Sequence, residues 1–219
     1  GRAGLVSALL LVQEGHVVTV VEKKIYPFHR VCGEYVSNEV LDFLKRNCMY
    51  PEGLELPNID TFEFSDTRGS SVRLPLDLGG FGISRYVLDE WLYRLACQRG
   101  VNFLTGTSVT GLQFVAKEEL FQVELSDFQV LQFPYVLGAF GKRSKLDQVL
   151  ERPFFSKRSP YIGVKYHVQA EGSSNTVALH NFQGGYCGFN AIEEGKFNLC
   201  YLGSRDQLRA YGSIPEMEQ

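Results

Sequence analysis

The chain of 219 residues has no long apolar run, no basic cluster and no paired-cysteine motif, and each absence removes a class of protein. Its longest largely apolar stretch, residues 5–12, falls far short of the roughly 20 residues that a membrane-spanning helix needs. No positively charged leader precedes that stretch, so a cytoplasmic location is the default expectation. Without a Lys/Arg-rich run, and with a net charge of −3, neither nucleic acid nor an acidic membrane surface is expected as a partner. The 5 cysteines, Cys32, Cys48, Cys97, Cys187 and Cys200, are odd in number and scattered, which argues against a disulfide framework and against zinc. The 4 histidines, His16, His29, His167 and His180, form no H-x-x-x-H pair. No G-x-S-x-G elbow and no Ser-His-Asp order points to hydrolysis.

What is present is enough apolar material, 44% of residues with 13% aromatic, for one large domain or two interleaved ones. The chain opens with GRAGLVSALLLVQEGHVVTVVE: Gly1, Gly4, an apolar helix, a β-branched strand and the acid Glu22. That is the spacing of a dinucleotide-binding βαβ unit, in which glycines let the backbone approach a pyrophosphate, helix N–H groups meet its charge and a carboxylate takes the ribose hydroxyls. The sequence starts at the third position of the G-x-G-x-x-G fingerprint, so the first glycine and first strand are expected to be missing.

Leu5, Ala8, Leu9 and Val12 recur at helical spacing, with Leu10 and Leu11 widening the stripe, and predict a nearly all-round buried helix that Gly15 ends. Val17, Val18, Val20 and Val21 predict a strand buried on both faces of a parallel sheet, and Glu22 leaves it at the ligand-binding end. Ser37 is expected to cap a short helix with Val40, Phe43 and Leu44 on one face. Phe62 and Phe64, the turn Asp66-Thr67-Arg68-Gly69, and Val72, Leu74 and Leu76 predict a hairpin. A second helix runs from the cap Ser84 through Leu88, Trp91, Leu92 and Leu95 to a stop at Gly100. Residues 101–104, 111–115, 121–125 and 130–133 fit a β-meander, and 135–139 read as a further buried strand. Residues 161–168, 176–182, 186–191 and 197–202 make the last third β-rich.

The fold class expected is α/β, mixed with α+β: a Rossmann-like layer with a parallel sheet and β-meander, interleaved with an antiparallel β substrate layer. Residues 1–58 and 82–150 would form the nucleotide-binding domain, and 59–81 with 151–219 the substrate domain, both incomplete.

Four motifs occur in a shared order: the opening fingerprint, PFHRVCGEYVSNEV at residues 27–40, ISRYVLDEWLYRLA at residues 83–96 and GAFGKRS at residues 138–144. In this the chain resembles, over most of its length, FAD-dependent oxidoreductases of the geranylgeranyl reductase family, which have a p-hydroxybenzoate hydroxylase-like fold. The Cys32-Gly33-Glu34 loop is the most distinctive element. The resemblance implies that Gly1 and Gly4 lie against the FAD pyrophosphate and that Glu22, with Lys23 beside it, holds the adenosine ribose. It further implies that Arg30, Cys32 and Gly33 approach the ribityl chain or isoalloxazine, that Arg85 reaches the phosphate or ribityl region, and that Val109 contacts adenine through its backbone. Gly141 belongs to the family's second nucleotide-associated motif, although Phe140 stands where the family has Asp. Tyr186, in QGGYCGFN, matches the family's substrate strand but lacks the Trp and Phe-Pro that follow it there.

From the residues themselves, Lys165 and His167 alternate along one strand and so present two donors on one face, to a substrate or to flavin. Together with Cys32, which reads equally as a small apolar loop residue, they are the candidate catalytic side chains. Arg85 sits in a first helical turn, where the dipole disfavours a cation and a phosphate partner would explain it. Phe154, Phe155, Tyr161, Tyr166, Phe182, Tyr186 and Phe189 either line an apolar pocket or are plain core.

The function expected is a FAD-dependent oxidoreductase taking hydride from NADPH or NADH and passing it to a small apolar, unsaturated substrate. A flavin-dependent monooxygenase on the same scaffold is the alternative. A non-catalytic nucleotide-binding or structural fragment is the alternative of another class. The chain ends before the family's later Gly-Asp motif, so the fragment itself is expected to be inactive and to retain FAD weakly.

Overall fold

The computed structural model describes residues 1–142, 144–156 and 159–219. Arg143, within the motif GAFGKRS, lies outside the described residues. In chain order the elements are α1 (Arg2–Gln13), β1 (Thr19–Glu22), β2 (Tyr35–Ser37), α2 (Leu41–Arg46), β3 (Asn58–Ser65), β4 (Ser71–Gly82) and α3 (Arg85–Gln98). There follow β5 (Asn102–Thr105), β6 (Val109–Val115), β7 (Leu120–Leu125), β8 (Val130–Phe133) and α4 (Lys145–Val149). The last third holds β9 (Tyr161–Val168), β10 (Thr176–Phe182), β11 (Gly185–Ala191), β12 (Phe197–Ser204), α5 (Arg205–Tyr211) and α6 (Ile214–Met217). The chain divides into two compact units, Gly1–Phe28 with Asp89–Arg158 and His29–Leu88 with Ser159–Gln219, so one division falls inside α3.

In the first unit, α1 buries Leu5, Ala8 and Leu9, and Gly15 follows it with φ +85°, the left-handed stop expected of a glycine just past a helix end. β1 pairs in parallel with β5, Glu22 opposite Thr105. Two expectations change here. The strand begins at Thr19, leaving Val17 exposed and Val20 and Val21 half-buried, because among the described residues β5 alone pairs with β1 and one edge stays open. Residues 101–104 supply that parallel partner and not the first arm of the meander, which consists of β6, β7 and β8. Residues 135–139 form no strand: Tyr135 is 81% exposed and the Ala139 N–H donates to Leu137 O at 3.1 Å, a local turn in place of a ladder.

α3 follows its pattern. Ser84 Oγ accepts from the Val87 N–H at 3.1 Å, Leu88, Leu92 and Ala96 are buried, and Gly100 takes φ +87°. Burying each large aliphatic residue of this kind contributes about 1.5–3 kcal/mol.

The second unit is built on a seven-stranded sheet in the order β2-β4-β3-β10-β11-β12-β9. The hairpin β3–β4 closes through Asp66, whose Oδ1 accepts from the N–H groups of Arg68 at 2.8 Å and Ser70 at 2.9 Å. Ser37 Oγ accepts from the Glu39 N–H at 3.2 Å ahead of α2, which buries Leu44. The sheet is antiparallel except where β3 and β10 run parallel, a departure from the wholly antiparallel layer expected. Partners across neighbouring strands share a face, so the registers put Lys165, Cys200, Gly188 and Leu179 on one side and Tyr166, Leu199, Phe189 and Ala178 on the other.

Candidate active site

The second unit carries a buried ionic cluster centred on Glu34. This residue precedes β2 in the left-handed region, φ +54°, and its carbonyl accepts from the Ile83 N–H at 3.0 Å. Its side chain is 0% exposed. Glu34 Oε1 accepts from the Arg85 N–H at 2.7 Å, placing a carboxylate at the start of α3, where the helix dipole favours it. The same oxygen accepts from Lys165 Nζ at 2.6 Å, and Oε2 lies 2.6 Å from His167 Nε2. Lys165 Nζ and His167 Nε2 are 3.1 Å apart. Lys165 is 5% and His167 18% exposed, so the imidazole is the outermost of the three. Charge-assisted contacts this short, with several donors on one carboxylate, are what lets a charge remain in so dry a place.

Asn198, fully buried on β12, holds the loop over this cluster by donating from Nδ2 to Gly33 O at 2.9 Å and to Cys32 O at 3.4 Å. His29 meets the His167 ring edge-on, centroids 5.1 Å apart, and stacks on Tyr86 at 4.6 Å. Burial first, then the charges of Lys165 and His167, push the His29 imidazole below its usual value, against an opposing pull from Glu34. Burial, with Cys32 next, pushes the Cys200 thiol up, while Lys165 draws it down.

The expected catalytic pair Lys165 and His167 thus share a face and touch. Cys32 belongs to the same unit and offers its carbonyl, not a demonstrated redox contact, to Asn198. The phosphate inferred for Arg85 is not needed to balance the start of α3. The carboxylates of Glu34 and Glu193 serve there, the latter accepting from the Ser84 N–H at 2.7 Å. Tyr186 lies on β11 on the Lys165 face, opposite Leu202 and Asn181. The aromatic residues do not line one pocket: Tyr166, Phe182 and Phe189 lie on the other face, and the Phe155 side chain lies outside the described residues. Arg30 and Gly33 belong to this unit as well.

The remaining candidates belong to the first unit. Helix α1 carries no side-chain cap and no acid in its first turn, so its leading N–H groups suit a diphosphate. Glu22 is buried at the end of β1, and its Oε1 accepts from the Lys24 N–H at 3.3 Å. A carboxylate at that end of a parallel strand suits a ribose. These donors and this acid fit an adenine dinucleotide. Gly4 turns towards Ala139, where an added Cβ would come within 3.3 Å of the Ala139 Cβ; close packing is the role of the third fingerprint glycine. Lys23 is exposed, Val109 pairs with Leu125, and Gly141 takes φ +73° with open space at its Cβ position.

Sequence reasoning quoted Glu34 only as part of a motif and missed Asn198 and His29. The acid following Cys-Gly was the available signal. Among the described residues no group of His, Cys, Asp and Glu could hold a metal ion, and no helix is long and apolar enough to cross a membrane.

The chain has the fold of FAD-binding flavoprotein monooxygenases, with its mixed α/β build and both parallel and antiparallel sheets. PqsL of Pseudomonas aeruginosa, described as a probable FAD-dependent monooxygenase, superposes with a TM-score of 0.73 and 19% identity over 96% of this chain and 60% of that one. A flavoprotein/dehydrogenase from Cytophaga hutchinsonii gives 0.76 and 18% over 99% of this chain and 57% of its own. CmlS, a flavin-dependent halogenase, gives 0.75 and 18% over 97% of this chain and 42% of its own. The chain therefore spans about 60% or less of the length of these structures. No family model matches it, and no curated protein does.

Proposed function

We propose that this chain is part of a FAD-dependent oxidoreductase of the flavin-monooxygenase kind. The observation that carries the reading is the uncapped N-terminus of α1 beside the buried Glu22, on a fold shared with a FAD-dependent monooxygenase and a flavin-dependent halogenase. FAD, when bound, supplies the redox chemistry, with NADPH or NADH as the electron source and dioxygen as the co-substrate. Among this chain's residues, the leading N–H groups of α1 bind diphosphate and Glu22 holds the ribose. Lys165 and His167 face an organic substrate from the sheet of the second unit.

A second reading, hydride delivery through flavin to an apolar, unsaturated substrate, draws on the resemblance of the Cys32-Gly33-Glu34 loop to geranylgeranyl reductases. The visible spectrum of the purified full-length protein tests both. A preparation that stays colourless after incubation with FAD defeats them and leaves a non-catalytic module. With flavin bound, substrate-dependent oxygen consumption matching NADPH oxidation supports the monooxygenase. NADPH oxidation coupled to substrate without oxygen uptake supports the reductase.

A further inference from the structure

Residues 31–34 run along β12 and are held there at both ends. At one end Val31 lies over Gly163 and its strand partner Leu202: a Cβ added at Gly163 would come within 3.1 Å of Val31 Cγ1 and 3.3 Å of Leu202 Cδ2. At the other end Asn198 Nδ2 donates to the Gly33 carbonyl at 2.9 Å and to the Cys32 carbonyl at 3.4 Å. Glu34 then continues onto Lys165 of the neighbouring β9. Asn198, Cys200 and Leu202 are two residues apart along β12 and therefore share one of its faces. Cys200 is the middle one of those three, and Cys32 is the middle residue of the segment that reaches from Leu202 to Asn198. Loop and strand thus bring the two cysteines opposite each other.

Electrostatics agrees with that placement. Among the charged groups that act on the Cys200 thiol, Cys32 has the largest effect, ahead of Lys165, the direct partner of Cys200 across the ladder. Such effects fall with distance, so the loop thiol is a near neighbour of Cys200. The other cysteines lie elsewhere. Cys187 is opposite Tyr201 and so points to the other face of the sheet from Cys200, while Cys48 follows α2, Cys97 is in α3, and both are exposed. Cys32 and Cys200 are each half-buried, which leaves the pair within reach of a small reagent. Cysteines in such a place ordinarily pack as small apolar side chains. This pair differs because a loop held at both ends and a strand inside a sheet present the two thiols to each other in one geometry, which is what a disulfide requires.

We propose that Cys32 and Cys200 form a thiol–disulfide pair whose oxidation by a low-molecular-weight disulfide locks residues 31–34 onto β12. The Cys32 thiolate attacks one sulfur of glutathione disulfide, a new S–S bond forms, the old one breaks and one glutathione leaves as its thiolate. The Cys200 thiolate then attacks the Cys32 sulfur and expels the second glutathione. Two electrons pass from the protein thiols to glutathione disulfide, and the two protons lost by the protein end on the two glutathione thiols. Asn198 holds backbone carbonyls of the loop, so neither of its contacts has to break for the Cys32 side chain to turn to Cys200. The inference goes beyond the flavoenzyme reading and needs no flavin.

The test uses the full-length protein equilibrated in glutathione buffers, blocked with N-ethylmaleimide and digested without reductant. In excess glutathione disulfide a linked peptide carrying Cys32 and Cys200 is expected, two hydrogens lighter than the two thiol peptides together, and dithiothreitol should remove it. Amide exchange of residues 31–35 should slow about tenfold in the linked protein. Cys200→Ser should stall after the first step with glutathione retained on Cys32, and Cys32→Ser should leave Cys200 a thiol; in both, exchange at residues 31–35 should stay within about twofold of the reduced parent. The linked peptide is read on the parent protein, so a variant that does not fold leaves the test decisive. Glutathione persisting on Cys32 of the parent, Cys32 linked instead to Cys48, Cys97 or Cys187, both thiols still blocked by N-ethylmaleimide, or unchanged exchange once the pair is linked overturns the proposal. A colourless protein that forms the linked peptide leaves this inference standing and removes the flavoenzyme reading. A flavin-loaded protein that does not form it removes this inference alone.

Discussion

Glu34 and Lys165 meet at 2.6 Å although they stand at opposite edges of the seven-stranded sheet. Glu34 immediately precedes the edge strand β2 and Lys165 lies on the other edge strand, β9. The loop that ends at Glu34 thus reaches the Lys165 face of the sheet, where Asn198 also holds Cys32 and Gly33, and the ion pair ties it there. Glu34→Ala should therefore cost about 3–5 kcal/mol, because it strands a buried lysine and removes the acceptor at the start of α3. Equilibrium denaturation of Glu34→Ala, Lys165→Met and the double variant checks this. The double variant should be less destabilised than the sum of the singles.

Asn198 is the other tie on that loop. Asn198→Leu should cost about 0.5–1.5 kcal/mol, since the part-buried carbonyls of Cys32 and Gly33 lose their donor. Hydrogen exchange should report faster opening of residues 31–35 in this variant than in the parent.

Gly82 and Ala191 are in backbone contact. A Cβ at position 82 would overlap the Ala191 carbonyl and press on Pro57, so Gly82→Ala should cost on the order of 3 kcal/mol or more. By contrast Gly53→Ala, where no atom lies near the added carbon and only φ +87° resists, should cost about 1 kcal/mol. Comparing their melting temperatures separates steric from backbone effects.

His29 gives a pH dependence of known sign. Because the folded protein holds it below the ordinary 6.5, the unfolded chain binds its proton more readily in the interval between the two values, and stability falls as pH drops through that interval. Lys165→Met should move His29 back towards 6.5 without reaching it, because burial is the leading cause and remains. Histidine ring-proton resonances followed through a pH titration read this directly.

Local pattern foretold the parts whose cause is local. α1 and α3 follow from apolar spacing with Gly15 and Gly100 as stops, and the hairpin follows from alternation around Asp66. Lys165 and His167 share a face because a strand has a period of two. Other features depend on which segment a strand meets, and no local pattern carries that. Residues 101–104 and 135–139 look alike as apolar runs, yet β5 finds β1 and the second run finds no ladder. The parallel pairing of β3 with β10 joins chain segments separated by more than 100 residues. Glu34 escaped for the same reason: its partners Lys165 and His167 are 131 and 133 positions away.

The β3–β10 seam also dictates an order of events during synthesis. The hairpin of β3 and β4 leaves the ribosome long before residues 176–182 exist to cover the free side of β3. Until then a strand with Phe62 and Phe64 on one face offers unpaired amides to any passing neighbour. The nascent chain is therefore most exposed to mispairing while residues 83–175 are being made, and a chaperone that shields an apolar hairpin would act in that interval.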